Sequence, residues 1–147
     1  MVSQINGEKI LVQIGDGASP EQFVHDCLIN TERGIEFSSS MTESINPSCD
    51  DPSAPAWVDR EKDGLSATIS GAGTVHTNSI STFATWHASS EPKNIRFNVD
   101  VPGSSGGGYW AGAFHLSEWG LTGNRKEKST ASVTLVSDGA VTWVDAA

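Results

Sequence analysis

The sequence is poor in cysteine, in basic residues and in long apolar runs. Its two cysteines, Cys27 and Cys49, are too few for a disulfide framework, and neither belongs to a C-x-x-C pair. Two unpaired thiols are therefore the interpretation that we favour, with one disulfide between them as the alternative. Apolar runs are only a few residues long, so the sequence predicts no membrane-spanning helix and no membrane partner.

Secretion signals are missing as well. Residues 1–8 are polar, whereas a signal peptide begins with positive charge followed by an apolar stretch. The segment Asn46-Pro47-Ser48 contains the proline that prevents N-glycosylation. We therefore expect a protein that is made and used without secretion.

Positive charge is scarce. The chain carries 9 Lys and Arg against 18 Asp and Glu, which gives a net charge of −9 at pH 7. This balance opposes ordinary nucleic-acid binding, because such binding depends on basic side chains that neutralise phosphates. An acidic surface near DNA would instead repel the backbone and prevent sticking.

The sequence also lacks a catalytic or metal-binding set. None of the histidines, His25, His76, His87 and His115, is spaced from another as zinc ligands are. The glycine-rich stretches do not match a phosphate-binding loop, and no G-x-S-x-G nucleophile motif occurs. We predict a protein that is not an enzyme and that binds no cofactor and no metal.

Alternating apolar and polar residues dominate what is present. Such alternation is typical of antiparallel strands with one buried face. It occurs at residues 9–14, 65–76, 93–101, 109–121, 129–136 and 141–144, with a shorter match at Ile35 and Phe37 and an extended segment at 23–31. The pattern predicts a mainly β fold, an antiparallel β-sandwich or barrel, in a single domain over residues 1–147. The glycine-rich segment 102–108 is predicted to be a flexible loop.

One short helix is predicted at residues 79–88. Ile80, Phe83, Ala84 and His87 stand at helical spacing and would form its buried face, so His87 is interpreted as a packed residue. Asn78 or Ser79 would cap its start. A helix this short is not stable alone and must pack on the sheet.

The segment at about 38–60 shows no period of either kind. It is rich in Ser, Pro and Asp, so we predict a long, acidic, projecting loop; loops of this length are usually functional or disordered. Trp57 stands alone in this polar stretch. It would be buried against a partner, stack on a ligand or fold back onto its own domain.

The order of these features resembles the phage major tail protein family, including the tail tube subunits of gene transfer agents. The resemblance rests on collinear segments over nearly the whole chain rather than on one specific motif. These segments are residues 10–23 with their Gly-Asp-Gly turn, 35–37, the loop ending at Ala56-Trp57, 66–75, 95–103, 112–116 and 131–143.

The resemblance implies a structural virion protein: a tail tube subunit that forms hexameric rings, which stack into a channel for DNA passage. It implies as partners further copies of the chain, the tape measure, tail terminator and baseplate or distal tail proteins, and passing DNA that is not bound specifically. The expected location is the virion tail, after synthesis in the bacterial host cytoplasm. By position, the loop would contact a neighbouring subunit or ring through Glu43, Asp50, Asp51, Trp57, Asp59 and Arg60.

Small hydroxyl residues on two strands are candidates for the wall of such a channel. They stand at alternate positions, opposite the apolar ones, and carry no positive charge: Ser66, Thr68, Ser70, Thr130, Ser132 and Thr134. Two other functions remain open. One is a carbohydrate-binding β-sandwich that uses Trp57, Trp110 or Trp119 as a stacking platform, and the other is a different tail or baseplate component of related fold.

Overall fold

A computed structural model of the chain describes residues 4–15, 21–25 and 31–146. The chain divides into two compact units. The first, here called the sheet unit, comprises Met1–Glu36 and Ala67–Ala147. The second, the hairpin unit, comprises Phe37–Ser66.

The structure consists mainly of strands, with one α-helix, α1, at Thr77–Ala88. Short 3-10 turns occur at Gly7–Lys9 and Gly103–Ser105. The strands are β1 Ile10–Gly15, β2 Phe23–His25, β3 Glu32–Ile45, β4 Val58–Thr74, β5 Lys93–Val99, β6 Gly108–Thr122, β7 Thr130–Ser137 and β8 Thr142–Asp145. The mainly β prediction with one short helix is confirmed. Of the extended segment predicted at 23–31, residues 26–30 lie outside the described residues.

The described strands belong to one sheet in the order β2-β1-β5-β6-β7-β4-β3. Its longest shared element is β6, because β5 pairs with its first half, β7 with its second half and β8 with its first residues. These pairings are antiparallel. A bulge between Leu116 and Glu118 shifts the register where β6 runs along β7.

The core of the sheet unit lies on one face of the sheet. Its strand residues are the ones that alternation predicts: Val12, Ile14, Ala67, Ile69, Ile95, Phe97, Phe114, Leu116, Ala131, Val133 and Leu135. Gly71 and Gly73 are buried in the same register of β4. Two helix side chains, Phe83 and Trp86, complete this core.

Helix α1 turns a different face inward from the one that its spacing predicts. Ser79, Phe83 and Trp86 are buried, whereas Ala84 and His87 are exposed. The helix begins after His76, which makes no capping side-chain hydrogen bond, so the predicted cap at Asn78 or Ser79 is wrong. The reason is area: two aromatic rings bury far more apolar surface than Ala84 and His87 would.

Segment 38–60 is not the irregular loop that its composition predicts. Strand β3 continues to Ile45 and β4 starts at Val58, so only residues 46–57 lack a strand. Both strands are exposed here on both faces, and exposed strands need no continuous apolar alternation. Leu65, the first residue of the alternating segment 65–76 and expected on its buried face, is also exposed, and it belongs to the hairpin unit.

The glycine-rich segment 102–108 is an ordered turn rather than a flexible loop. Gly107 donates its N–H to the carbonyl oxygen of Pro102 at 3.1 Å and accepts from the N–H of Ala146 at 3.0 Å. A Cβ at Gly107 would collide with the carbonyl oxygen of Val101, and Gly106 has a φ of +88°. The glycines thus let the turn between β5 and β6 pack against the end of the chain.

Candidate assembly surfaces

The hairpin unit is held together by polar contacts between its two strands. Arg60 Nε donates to Glu43 Oε1 at 3.0 Å, and Asn46 Nδ2 donates to Asp59 Oδ2 at 2.6 Å. The hydroxyl of Thr42 donates to the carboxylate of Asp63. All these side chains are exposed, so each contact contributes little to stability. Their effect is to bring three predicted contact residues, Glu43, Asp59 and Arg60, into one unit.

The turn of the hairpin unit contains two more of the predicted contact residues, Asp50 and Asp51. Ser48 Oγ accepts from the backbone N–H of Asp50 at 3.2 Å and from that of Asp51 at 3.4 Å. Ser53 Oγ donates to Asp51 Oδ1 at 2.9 Å. The backbone of both acidic residues is therefore fixed by the serine hydroxyl, as in other Ser-centred turns.

Large apolar side chains lie on one face of the hairpin unit. Phe37, Met41 and Ile45 occupy odd positions of β3, so they point to the same side of the strand. We call Phe37, Met41 and Ile45 the apolar hairpin face.

This face is exposed to solvent in the single chain. Its side chains are 54%, 50% and 64% exposed, respectively. Large exposed apolar side chains grouped on one face of a soluble protein are typical of an interaction surface. Composition alone missed this face because Ser39 and Glu43 interrupt it; the odd-numbered apolar residues of β3 were the signal that could have shown it.

Trp57 is 90% exposed and follows the turn of the hairpin unit. Trp110 and Trp119 instead pack against the core of the sheet unit, where the ring of Trp110 lies 4.6 Å from that of Trp143. The platform proposed for carbohydrate stacking therefore reduces to Trp57 alone. The prediction that Trp57 serves a contact with a neighbouring subunit stays a prediction.

The predicted wall residues of the sheet unit share one face. Ser70 pairs with Thr134, Ala72 with Ser132, and Thr74 with Thr130, and these positions alternate with the buried residues of β4 and β7. Residues directly opposite in an antiparallel pair point to the same side. We call Thr68, Ser70, Thr130, Ser132 and Thr134 the hydroxyl face; Ser66, the sixth candidate, is an exposed residue of the hairpin unit.

The remaining candidates form no cluster in the part of the chain that the structure describes. No group of His, Cys, Asp and Glu suited to a metal ion occurs among the described residues. His115 Nε2 lies 3.0 Å from Asp138 Oδ2, in an exposed pair. Cys49 is a free, exposed thiol, and Cys27 lies outside the described residues. None of the described helices is long and apolar enough to cross a membrane.

A protein-family model described as phage tail tube protein matches residues 4–143. The chain belongs to this family. The resemblance seen in the sequence is thereby confirmed, and the chain is a structural tail tube subunit. No curated protein matches it.

Solved structures show the same fold at low sequence identity. A chain from the tail of an empty gene transfer agent particle, determined with helical refinement and C6 symmetry, is 19% identical with a TM-score of 0.73, and the match covers 97% of this chain and 99% of that one. A chain of the native gene transfer agent virion is 18% identical with a TM-score of 0.71 and the same coverage. A chain of the sheath–tube complex of an extracellular contractile injection system is 13% identical with a TM-score of 0.64, over 97% and 92%.

Proposed function

We propose that this chain assembles into hexameric rings that stack into the hollow tube of a virion tail. The observation that carries the proposal is the apolar hairpin face, whose members are each half or more exposed. One structure of the same fold, the tail of an empty gene transfer agent particle, was determined with C6 symmetry. The family membership makes a further copy of the same chain the natural partner for this face.

Burial of the apolar hairpin face would supply a large part of the association energy. Fully burying one large aliphatic or aromatic side chain is worth about 1.5–3 kcal/mol. Its three members are already partly covered, so their joint burial contributes about 2–4 kcal/mol per contact, by the same scale. Each subunit of a ring gives and receives one such contact, and this repetition makes a closed assembly stable.

The free edges of the sheet support the same arrangement. In the strand order of the described residues, β2 and β3 are the outermost strands. Unpaired strand edges are templates for pairing with another chain, which native proteins cover or use. We infer that neighbouring subunits join at these edges, while the residues predicted from the loop, Glu43, Asp50, Asp51, Trp57, Asp59 and Arg60, contact the next subunit or ring.

Electron microscopy of the concentrated protein tests the proposal directly. Negative-stain images should show six-fold rings or tubes with an open channel, and sedimentation should show mass that grows with concentration. A chain that remains monomeric at every concentration, also with the tail proteins that start assembly, and that binds a glycan through Trp57, would overturn it. Rings that never stack would favour another tail component of related fold.

Two features support a role of the tube as a DNA channel: the negative net charge of the chain and the hydroxyl face. Its side chains are small, uncharged hydroxyls, and the chain as a whole carries a charge of −9. We propose that this face lines the channel, since its hydroxyls offer no cation to the phosphates of passing DNA. The protein then acts without catalysis, in the virion tail, together with tape measure, terminator and baseplate proteins.

Lysine on the hydroxyl face should leave tubes intact and make them retain DNA. In a Ser70→Lys/Ser132→Lys variant, the two new cations of every subunit repeat around the channel, and retention of a short DNA duplex by sedimented tubes should rise at least about tenfold at low salt. Raising the salt should abolish this gain. The Ser70→Gln/Ser132→Gln variant, similar in size but uncharged, is the control. Failure of both variants to form tubes would place these positions in an interface instead.

A further inference from the structure

One cation of the sheet unit is held against two aromatic rings. The guanidinium carbon of Arg96, in β5, lies 3.9 Å from the ring centroid of Phe23 and 4.7 Å from that of Tyr109. Its neighbours in β5, Ile95 and Phe97, are buried in the core, so Arg96 points to the opposite face of the sheet. Phe23 and Tyr109 hold the guanidinium in one orientation through cation–π contacts.

Cation–π contacts use the flat face of the guanidinium and not its hydrogen-bonding edge. Its N–H donors lie in the plane of the group, in a fork that fits a carboxylate with two parallel hydrogen bonds. Among the residues that the structure describes, no carboxylate forms an ion pair with Arg96, and no hydrogen bond involves its side chain. A half-buried cation that has no counter-ion among the described residues is unusual in a chain that carries a charge of −9.

The hairpin unit contains a complementary group. Most carboxylates of the hairpin unit already accept a side-chain hydrogen bond. The pairs are Glu43 with Arg60, Asp59 with Asn46, Asp63 with Thr42, and Asp51 with Ser53. Asp50 and Glu61 accept no such bond among the described residues. Of these two, only Asp50 belongs to the turn, where the hydroxyl of Ser48 fixes its backbone.

We propose that Arg96, stacked on Phe23 and Tyr109, binds the carboxylate of Asp50 from the hairpin unit of a second copy of this chain. The inference rests on the proposed function, since it names the receiving site for the hairpin turn in the assembled tube. Copies that each carry −9 repel one another, so an oriented cation at the contact fixes the register between them. Both partners are preorganised before they meet, which lowers the entropic cost of the contact.

A charge exchange between the two positions tests the pairing. The subunit concentration needed for half of the protein to sediment as tubes should rise at least about tenfold in Arg96→Glu and in Asp50→Arg, because each places like charges together in a desolvated contact. The double variant Arg96→Glu/Asp50→Arg should return to within about threefold of the wild-type value, a restoration that pairwise coupling requires. Arg125→Glu and Glu61→Arg are matched controls on exposed residues, which should assemble normally.

The possible outcomes distinguish failure of the Arg96–Asp50 pairing from failure of the proposed function. Wild-type tubes with no rescue in the double variant, or normal assembly of either single variant, would overturn the pairing and leave the proposed function standing. A wild-type chain that forms neither rings nor tubes would overturn the proposed function and the pairing together. Circular dichroism melting of each unassembled variant identifies any loss of assembly that results from unfolding, and Arg96→Lys, which keeps the charge but not the fork, should assemble only partly.

Discussion

Replacement of Phe83 by alanine is expected to lower the free energy of unfolding by about 3–5 kcal/mol. Phe83 is fully buried, and its ring lies 6.1 Å from Trp86 and 6.2 Å from Trp119, so it joins α1 to the sheet. Its removal leaves a cavity that rigid strands cannot close, and the lost ring contacts are not replaced. Because a domain of this kind is stable by only about 5–15 kcal/mol, this is a large fraction of the total.

Urea denaturation of the unassembled subunit, followed by tryptophan fluorescence, measures this effect. Phe37→Ala is the matched control, since it deletes the same side chain from a residue that is 54% exposed. Its cost should be about 1 kcal/mol or less, as for other surface substitutions. Equal costs for the two variants would show that α1 is not anchored through Phe83.

Two aspartates on the apolar hairpin face should abolish tube formation while the subunit stays folded. Met41→Asp/Ile45→Asp places two carboxylates where we propose apolar contact with a neighbouring copy. Burying a charge without a partner is so unfavourable that the contact does not form. Because both residues are at least half exposed in the free chain, its melting temperature should change by no more than about 2 °C.

The opposite face of the same strand provides the control. Ser40→Asp/Ser44→Asp adds the same charge at neighbouring positions of β3, on the side where no apolar face exists. Sedimentation and electron microscopy should show tubes for this variant and none for Met41→Asp/Ile45→Asp. Equal loss of tubes in both would mean that added negative charge, and not the apolar face, controls assembly.

The strands of the core could be predicted from the sequence because each has one buried face. Residues such as Val12, Ile69 and Leu135 alternate with polar neighbours, and this alternation reports burial directly. The order of the strands could not be predicted in the same way. Pairing of β1 with β5 and of β4 with β7 joins residues far apart in the chain, and no local pattern encodes such partners.

The errors at the helix and the hairpin have a common origin. In α1, helical spacing is compatible with two different buried faces. The face that contains Trp86 is the one that is buried, and this depends on the shape of the sheet against which the helix packs. In the hairpin unit, the strands around Met41 and Arg60 are held by pairing with each other while both faces stay exposed. The apolar and polar pattern of a sequence indicates which residues are buried within one chain. Surfaces that are buried only by another chain are therefore harder to predict from it.

The residues of the candidate site also divide into those that the sequence indicated and those that only the structure shows. The sequence placed Asp50, Asp51 and Trp57 in an exposed segment, and the structure shows that Ser48 fixes the backbone of both aspartates in one turn. It did not indicate Arg96, because a lone arginine in an alternating strand reads as an ordinary solvated residue. Its stacking on Phe23 depends on the pairing of β2 with β1 and of β1 with β5, which is a tertiary property.

The strand order also determines when each strand can pair with its partner during translation. Strand β1 is synthesised before β5, its partner on the side opposite β2. Because β5 follows the helix in the chain, Ile10 cannot pair with Val99 until then. At about 5–20 residues per second, the stretch between these strands takes roughly 4–16 s to translate. During that interval β1 has only the short strand β2 to pair with, and its apolar residues expose the nascent chain to aggregation. The growing subunit therefore reaches its folded state late, and we expect its net charge of −9 to oppose aggregation in the meantime.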